Sequence, residues 1–140
     1  MVRIRTVVAD DSIHWLKPLR AFLDDEPAID LVAIARDGLE AIGHVAALRA
    51  ELVLLDTRMP RLDGFKTAAI IRTRFPEVKI LMMSSDDDPY LRDQCRAHGA
   101  DAFVAKSDVA DQLLPTIFRI CADGIASSPS GQAAPEFQRA

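Results

Sequence analysis

Two predicted strands of this sequence are each followed directly by acidic residues. Asp10 and Asp11 come after the apolar stretch 4–9, and Asp56 comes after the stretch 52–55. Three carboxylates held close together repel one another, and a cation among them relieves that repulsion. Carboxylate oxygens suit Mg²⁺, which keeps part of its water shell and leaves room for a phosphate oxygen. The pattern therefore predicts a magnesium site.

Two more polar side chains at strand ends complete a candidate site for a phosphoryl group. Ser84 follows the predicted strand 78–83, and Lys106 follows the predicted strand 102–105. A lysine ammonium is a mobile point charge that binds phosphoryl oxygens, and a hydroxyl adds a donor. A carboxylate is able to act as a nucleophile and form an aspartyl phosphate. Asp56, at the centre of the set, is the predicted nucleophile.

Each of these features also has an ordinary structural explanation. An acid pair after a strand is usually a helix N-cap with a solvated neighbour, and a single aspartate there is usually a turn former. The triple acid at 86–88 is typical of a helix amino terminus, where the helix dipole favours negative charge. The combination, in this order and at successive strand ends, is far more specific than any one member.

The periodicity of apolar residues predicts the strands and helices that must position these side chains. Short apolar runs predict strands at 4–9, 29–35, 52–55, 78–83 and 102–105, and helical spacing predicts helices at 13–23, 39–48, 65–75, 90–98 and 109–122. This alternation implies a parallel sheet covered by helices on both faces. In the first helix, Ser12 is the predicted N-cap, and Pro18 should kink the helix or mark a late start.

The composition indicates one ordinary globular domain. The chain has 140 residues, of which 49% are hydrophobic, and its net charge of −4 argues against direct nucleic-acid binding. The absence of a long apolar run predicts no membrane span and a cytoplasmic protein, and Cys95 and Cys121 lack metal-ligand spacing. Residues 127–140 are rich in Ser, Pro, Gly and Ala, which predicts a flexible tail or truncated linker after a domain at 1–126.

Four segments resemble the receiver domains of bacterial two-component response regulators. They read VVADDS, LVLLDTRMPRLDGF, ILMMSS and DAFVAKS, and the resemblance covers residues 3–122. It implies an α/β, flavodoxin-like, doubly wound (βα)5 fold of the CheY type with strand order 2-1-3-4-5. It also implies a phosphoacceptor in phosphorelay signal transduction rather than an enzyme acting on external substrates.

The resemblance assigns the metal and phosphorylation roles to particular residues. Asp56 would receive the phosphoryl group from a sensor histidine kinase or a phosphotransfer protein. Asp11 would bind Mg²⁺ directly, Asp10 would assist through water, and Asp56 and the backbone carbonyl of Arg58 would complete the protein ligands.

The resemblance also implies how a signal would leave the site. Lys106 and Ser84 would bind phosphoryl oxygens, and Ser84 and Phe103 would act as the switch pair. The surface of the fourth helix, fifth strand and fifth helix would then contact a downstream protein or an attached output domain, or pair two copies. Ser107 stands where many family members have proline, and the run Lys-Ser-Asp resembles receivers of NarL/LuxR-type regulators with helix-turn-helix outputs.

Three alternatives remain beside a stand-alone regulator. The chain is also consistent with the amino-terminal receiver of a DNA-binding transcriptional regulator. A magnesium-dependent phosphohydrolase with an aspartyl nucleophile would carry a second acid two residues later, where this chain has Arg58. A flavodoxin-like electron carrier would need a phosphate-cradling first loop, where this chain has acids.

Overall fold

Five strands and five α-helices alternate along the chain in the computed structural model, which describes residues 3–122. The strands are β1 (Ile4–Ala9), β2 (Ile29–Ala35), β3 (Leu52–Asp56), β4 (Lys79–Ser84) and β5 (Ala102–Ala105). The helices are α1 (Ile13–Asp24), α2 (Gly38–Leu48), α3 (Gly64–Arg74), α4 (Pro89–Ala97) and α5 (Val109–Ile120), and a 3₁₀ turn (Lys106–Asp108) precedes α5.

The strands form one parallel sheet in the order β2-β1-β3-β4-β5. This confirms the flavodoxin-like order 2-1-3-4-5. The sheet grows outward in one direction from β1 to β2 and in the other from β3 to β5. In such sheets the loops that follow the two strands at the reversal diverge and leave a crevice at their carboxyl ends.

Apolar side chains cover both faces of the sheet. On one face, the helices α1 and α5 pack against alternate strand residues, and on the other face α2, α3 and α4 do the same. All five residues of β3 are buried, which explains why the run Leu52–Leu55 has no polar alternation. The central strand is therefore a rigid support for whatever side chain stands at its end.

Helix α1 differs from expectation in two details. It begins at Ile13, ahead of Pro18, so Pro18 lies inside the helix and does not mark a late start. Ser12 occupies the N-cap position, but its side chain makes no capping hydrogen bond. Its backbone N–H donates instead to Asp10 Oδ1 at 2.9 Å. The loop after β1 is thus tied to the carboxylate that precedes it.

Two strands run one residue further than their patterns predict. β3 ends at Asp56, which pairs with Met83, and β4 ends at Ser84, which pairs with Ala105. The side chains of Asp56 and Ser84 are therefore carried by the sheet rather than by loops. Helix α5 ends at Ile120 instead of residue 122, and the predicted boundary at 126 and tail at 127–140 lie outside the described residues.

The described helices also bear on membrane insertion. Within residues 3–122, no helix is both long enough and apolar enough to cross a bilayer.

Candidate functional site

The carboxyl ends of four strands bring the predicted site residues to one edge of the sheet. Asp10 follows β1, Asp56 ends β3, Ser84 ends β4 and Lys106 follows β5. They line one cavity of about 880 Å³. The rest of the wall comes from the start of α1 and the loops after β3 and β4, including Asp11, Trp15, Arg58 and Asp86.

Three carboxylates form the acidic part of this cavity. One oxygen atom from each of Asp10, Asp11 and Asp56 lies within 4.8 Å of the other two. Asp10 and Asp56 are buried, whereas Asp11 is exposed. Hard oxygen donors at this spacing, with one side open to water, fit a small divalent cation such as Mg²⁺. The donor set therefore agrees with the cation that the sequence predicts.

The Lys106 ammonium is the positive charge that faces these acids. Its Nζ lies 2.7 Å from Asp10 Oδ2 and 3.3 Å from Asp56 Oδ1, and its side chain is only 13% exposed. Nζ also lies over the indole ring of Trp15, 4.9 Å from the ring centroid. One ammonium does not neutralise three carboxylates, so the cavity keeps a negative excess.

These surroundings raise the pKa of the Asp56 carboxyl group. Burial, followed by the negative charge of Asp10, raises the pKa of Asp56 from 3.8 to about 6. The ammonium of Lys106 and the backbone N–H of Arg58 act in the opposite direction. A cation bound beside Asp56 would favour its charged form. The carboxylate and a bound metal are therefore electrostatically coupled.

The loops after β3 and β4 meet at the rim of the cavity. The Arg58 N–H donates to Asp56 Oδ2 at 3.3 Å, and the exposed Arg58 guanidinium pairs with Asp86 at 3.0 Å. The buried Ser84 accepts a hydrogen bond on Oγ from the Asp86 N–H at 3.1 Å. Because the hydroxyl oxygen is the acceptor there, its hydrogen remains a donor for a group in the cavity.

Phe103 belongs to the protein core and not to the cavity wall. Its ring is buried in the core cluster on the α2–α3–α4 face, and it is 4% exposed. The Arg92 guanidinium of α4 lies 4.8 Å from the ring centroid and pairs with Asp87 in the loop before α4. Phe103 therefore connects β5 to α4 through its contact with Arg92.

Comparison with known proteins identifies the family. The sequence matches the family model of the response regulator receiver domain over residues 6–118. The chain belongs to this receiver family. The membership confirms the resemblance seen in the four sequence segments. The roles of individual residues in this receiver remain predictions.

Two curated relatives and one solved structure are similar to this receiver. It is 35% identical over 127 residues to protein-glutamate methylesterase/protein-glutamine glutaminase 1 of Methanospirillum hungatei, covering 84% of this chain and 37% of that protein. It is 28% identical over 126 residues to the transcriptional regulatory protein LnrK of Bacillus subtilis, covering 90% of this chain and 57% of LnrK. The solved structure is the signal receiver domain of NarL from Mycobacterium tuberculosis, which is 28% identical with a TM-score of 0.81. That match covers 89% of this chain and 99% of the NarL domain. The receiver thus spans less than two thirds of each curated relative's length.

Two contacts of the receiver site were not predicted from its sequence. One is the indole face of Trp15 against Lys106, and the other is the ion pair between Arg58 and Asp86. Trp15 stands four residues after Asp11, which is a usable signal for proximity to the acid pair. No sequence pattern indicates that its ring meets a lysine from the far end of the domain.

Proposed function

We propose that this receiver accepts a phosphoryl group on Asp56 from a phosphohistidine of a sensor histidine kinase or a phosphotransfer protein. The observation that carries the proposal is the setting of one carboxylate. Asp56 ends the central strand, is 3.3 Å from the Lys106 ammonium, and is grouped with the oxygens of Asp10 and Asp11 within 4.8 Å. A purely structural aspartate would be stabilised by one partner, without two further acids beside it.

The transfer exchanges one bond to phosphorus for another. An oxygen of the Asp56 carboxylate forms the new P–O bond while the P–N bond of the phosphohistidine breaks, and the electron pair leaves with the imidazole nitrogen. Lys106 and Ser84 bind the oxygens of the transferred group. Asp11, Asp56 and the Arg58 carbonyl would hold Mg²⁺, with Asp10 assisting through water, and the cation would supply neutralising positive charge.

The proposed output follows from where the new charge is placed. An aspartyl phosphate adds roughly −1.5 to −2 charges and three acceptor oxygens. Ser84 ends β4 and Lys106 follows β5, so bonds to these oxygens act on the strands beside α4 and α5. We therefore place the responsive surface on α4, β5 and α5, where it contacts a downstream protein, an output domain or a second copy.

The relatives favour a receiver that works as part of a longer regulator over a stand-alone one. The chain matches 37% of the methylesterase/glutaminase and 57% of LnrK. The full reading frame that encodes this chain decides between the two arrangements. A further domain in that frame supports the longer regulator, and a stop codon directly after residue 140 supports the stand-alone one.

The phosphoacceptor proposal is tested by phosphorylation with a small donor. Phosphoramidate and Mg²⁺ should add one phosphoryl group to the wild type, as measured by intact mass. The Asp56→Asn variant should gain none. Glu51→Gln, which alters an exposed acid at the other end of β3, is the matched control and should react like the wild type. A wild-type mass that stays unchanged contradicts the proposal.

A further inference from the structure

Within residues 3–122, the ammonium of Lys106 contacts an aromatic ring as well as two carboxylates. Carboxylate oxygens of Asp10 and Asp56 lie 2.7 and 3.3 Å from Nζ, and the Trp15 ring centroid lies 4.9 Å from it. We propose that Trp15 is a positioning residue of the phosphoryl-transfer site, whose indole face holds the Lys106 ammonium beside Asp56. The inference rests on the proposed phosphoacceptor function and adds a residue to its machinery.

The ring contact differs physically from the two carboxylate contacts. Lysine carries a compact charge on a flexible stem, so its position depends on what attracts the ammonium. A divalent cation among the carboxylates weakens their attraction for Lys106, because the same oxygens then neutralise the metal. The attraction between an ammonium and an aromatic face does not depend on those oxygens. Trp15 therefore still holds Lys106 when the acids are engaged by a cation.

The position of Trp15 is itself well defined. It lies in the first turn of α1, where its backbone N–H donates to the Ser12 carbonyl at 3.1 Å. Its half-buried side chain packs against the core cluster of the α1–α5 face, which includes Leu16 and Leu19. A ring fixed by both helix and core provides a stable wall for a mobile ammonium.

Packing alone does not explain a tryptophan at this place. The Trp15 Nε1 atom is buried and has no hydrogen-bond partner among residues 3–122. A buried N–H without a partner is unfavourable, and phenylalanine or leucine would fill the space without it. Tryptophan is also the aromatic residue that attracts cations most strongly. The contact with Lys106 accounts for the choice of ring.

The first experiment is a double-mutant cycle on the phosphorylation rate with phosphoramidate and Mg²⁺. Trp15→Leu should slow the reaction about 3- to 10-fold, the range of a partly buried cation–ring contact, and Trp15→Phe should recover most of the rate. In a Lys106→Gln background, Trp15→Leu should have no further effect. Phe22→Leu, which alters another aromatic residue of α1 packed on the same cluster, should leave the rate unchanged.

Two kinetic results overturn the proposal. One is a Trp15→Leu rate equal to that of the wild type. The other is the same fractional loss with and without Lys106, which would indicate a general packing defect. Trp15→Met, which keeps an apolar side chain but has no aromatic face, takes the place of the leucine variant if that variant does not fold.

The second experiment needs neither metal nor phosphoryl donor. Protons on the Lys106 side chain near an indole face should show an upfield ring-current shift in the NMR spectrum, recorded in EDTA. The shift should be smaller in Trp15→Phe and absent in Trp15→Leu. A Lys106 signal at its ordinary position in the wild type overturns the contact. The NMR shift does not depend on phosphorylation, so it tests the Trp15–Lys106 contact even if the wild type takes up no phosphoryl group. Failure of the proposed function is therefore distinguishable from failure of this inference.

Discussion

The amino-terminal ends of the strands form one side of the sheet, here called the amino edge, and their carboxyl-terminal ends form the opposite side, the carboxyl edge. The two carry the same kinds of charged residue in different surroundings. At the amino edge, Arg5 and Glu51 approach to 3.8 Å with side chains 44% and 47% exposed. At the carboxyl edge, Lys106 and Asp10 approach to 2.7 Å with side chains 13% and 0% exposed. Each edge also has a cavity, of about 910 Å³ and 880 Å³ respectively, so cavity size does not distinguish them.

The difference lies in burial and charge balance. Water screens the exposed pair, which contributes about 0–1 kcal/mol to stability. Burial strengthens the contacts of Lys106 with Asp10 and Asp56 at the carboxyl edge, where three acids face one lysine and the pKa of Asp56 rises to about 6. At the amino edge water screens the exposed ion pair, whereas the carboxyl edge carries a buried charge imbalance that a cation or phosphoryl transfer can use.

The largest expected difference between the edges is in reactivity. Lys106→Gln should lower the rate of phosphorylation by phosphoramidate about 100-fold or more, because it removes the buried positive charge that stabilises the reacting phosphoryl group. Arg5→Gln removes an exposed charge from the opposite edge and should leave the rate unchanged. Time-resolved intact mass measures both. Equal rates for the two variants would remove the functional distinction between the edges.

A second prediction concerns stability without metal. Because the native pKa of Asp56, about 6, exceeds the unfolded value of 3.8, native Asp56 binds its proton more tightly than unfolded Asp56. The stability that native Asp56 gains from binding this proton is fully present below about pH 4 and is lost as the pH rises through about 6. Asp56→Asn should therefore stabilise the fold by about 3 kcal/mol at pH 7.

Urea denaturation in EDTA measures that gain at several pH values. The gain should shrink steadily between pH 7 and pH 4, whereas Glu51→Gln should change stability little throughout. A destabilised Asp56→Asn protein at pH 7 would show that Asp56 is a favourable structural acid. The carboxyl edge would then resemble the amino edge.

A third prediction concerns the cation. Mg²⁺ at ten times its dissociation constant should stabilise the wild type by about 1.4 kcal/mol, because it binds the folded state. Thermal unfolding with MgCl₂ or EDTA measures this. Asp11→Asn should lose most of the effect at little cost to the fold, since Asp11 is exposed, and Glu51→Gln should keep it. An effect that survives in Asp11→Asn would place the cation elsewhere.

The smallest effects belong to the exposed ion pairs. Arg58 and Asp86 at the carboxyl edge approach to 3.0 Å with side chains 83% and 55% exposed, so this pair should resemble Arg5 and Glu51 at the amino edge. Double-mutant cycles on urea denaturation should give coupling energies below about 1 kcal/mol for both, weaker at high salt. A coupling above 2 kcal/mol at one edge would show that exposure alone does not rank these pairs.

The sequence by itself determined the elements and the chemistry available at their ends. The run Leu52–Leu55 has no polar alternation, which is sufficient to predict a strand covered on both faces. Gly99 follows α4 with φ of +96°, the left-handed conformation that glycine permits after a helix. These signals depend on periodicity and backbone preference, which are properties of neighbouring residues. They therefore predicted all five strands and helices to within a few residues.

Only the tertiary structure decided how the end groups interact. Lys106 meets Asp10 across 96 positions of sequence, and the ring of Trp15 lies against the same ammonium. The backbone amide of Ser12 bonds to Asp10 while the Ser12 side chain makes no cap. The raised pKa of Asp56 likewise depends on burial and on Asp10, which come from sheet order and packing. Distances and dielectric surroundings are set by residues far apart in the chain, so no local pattern contains them.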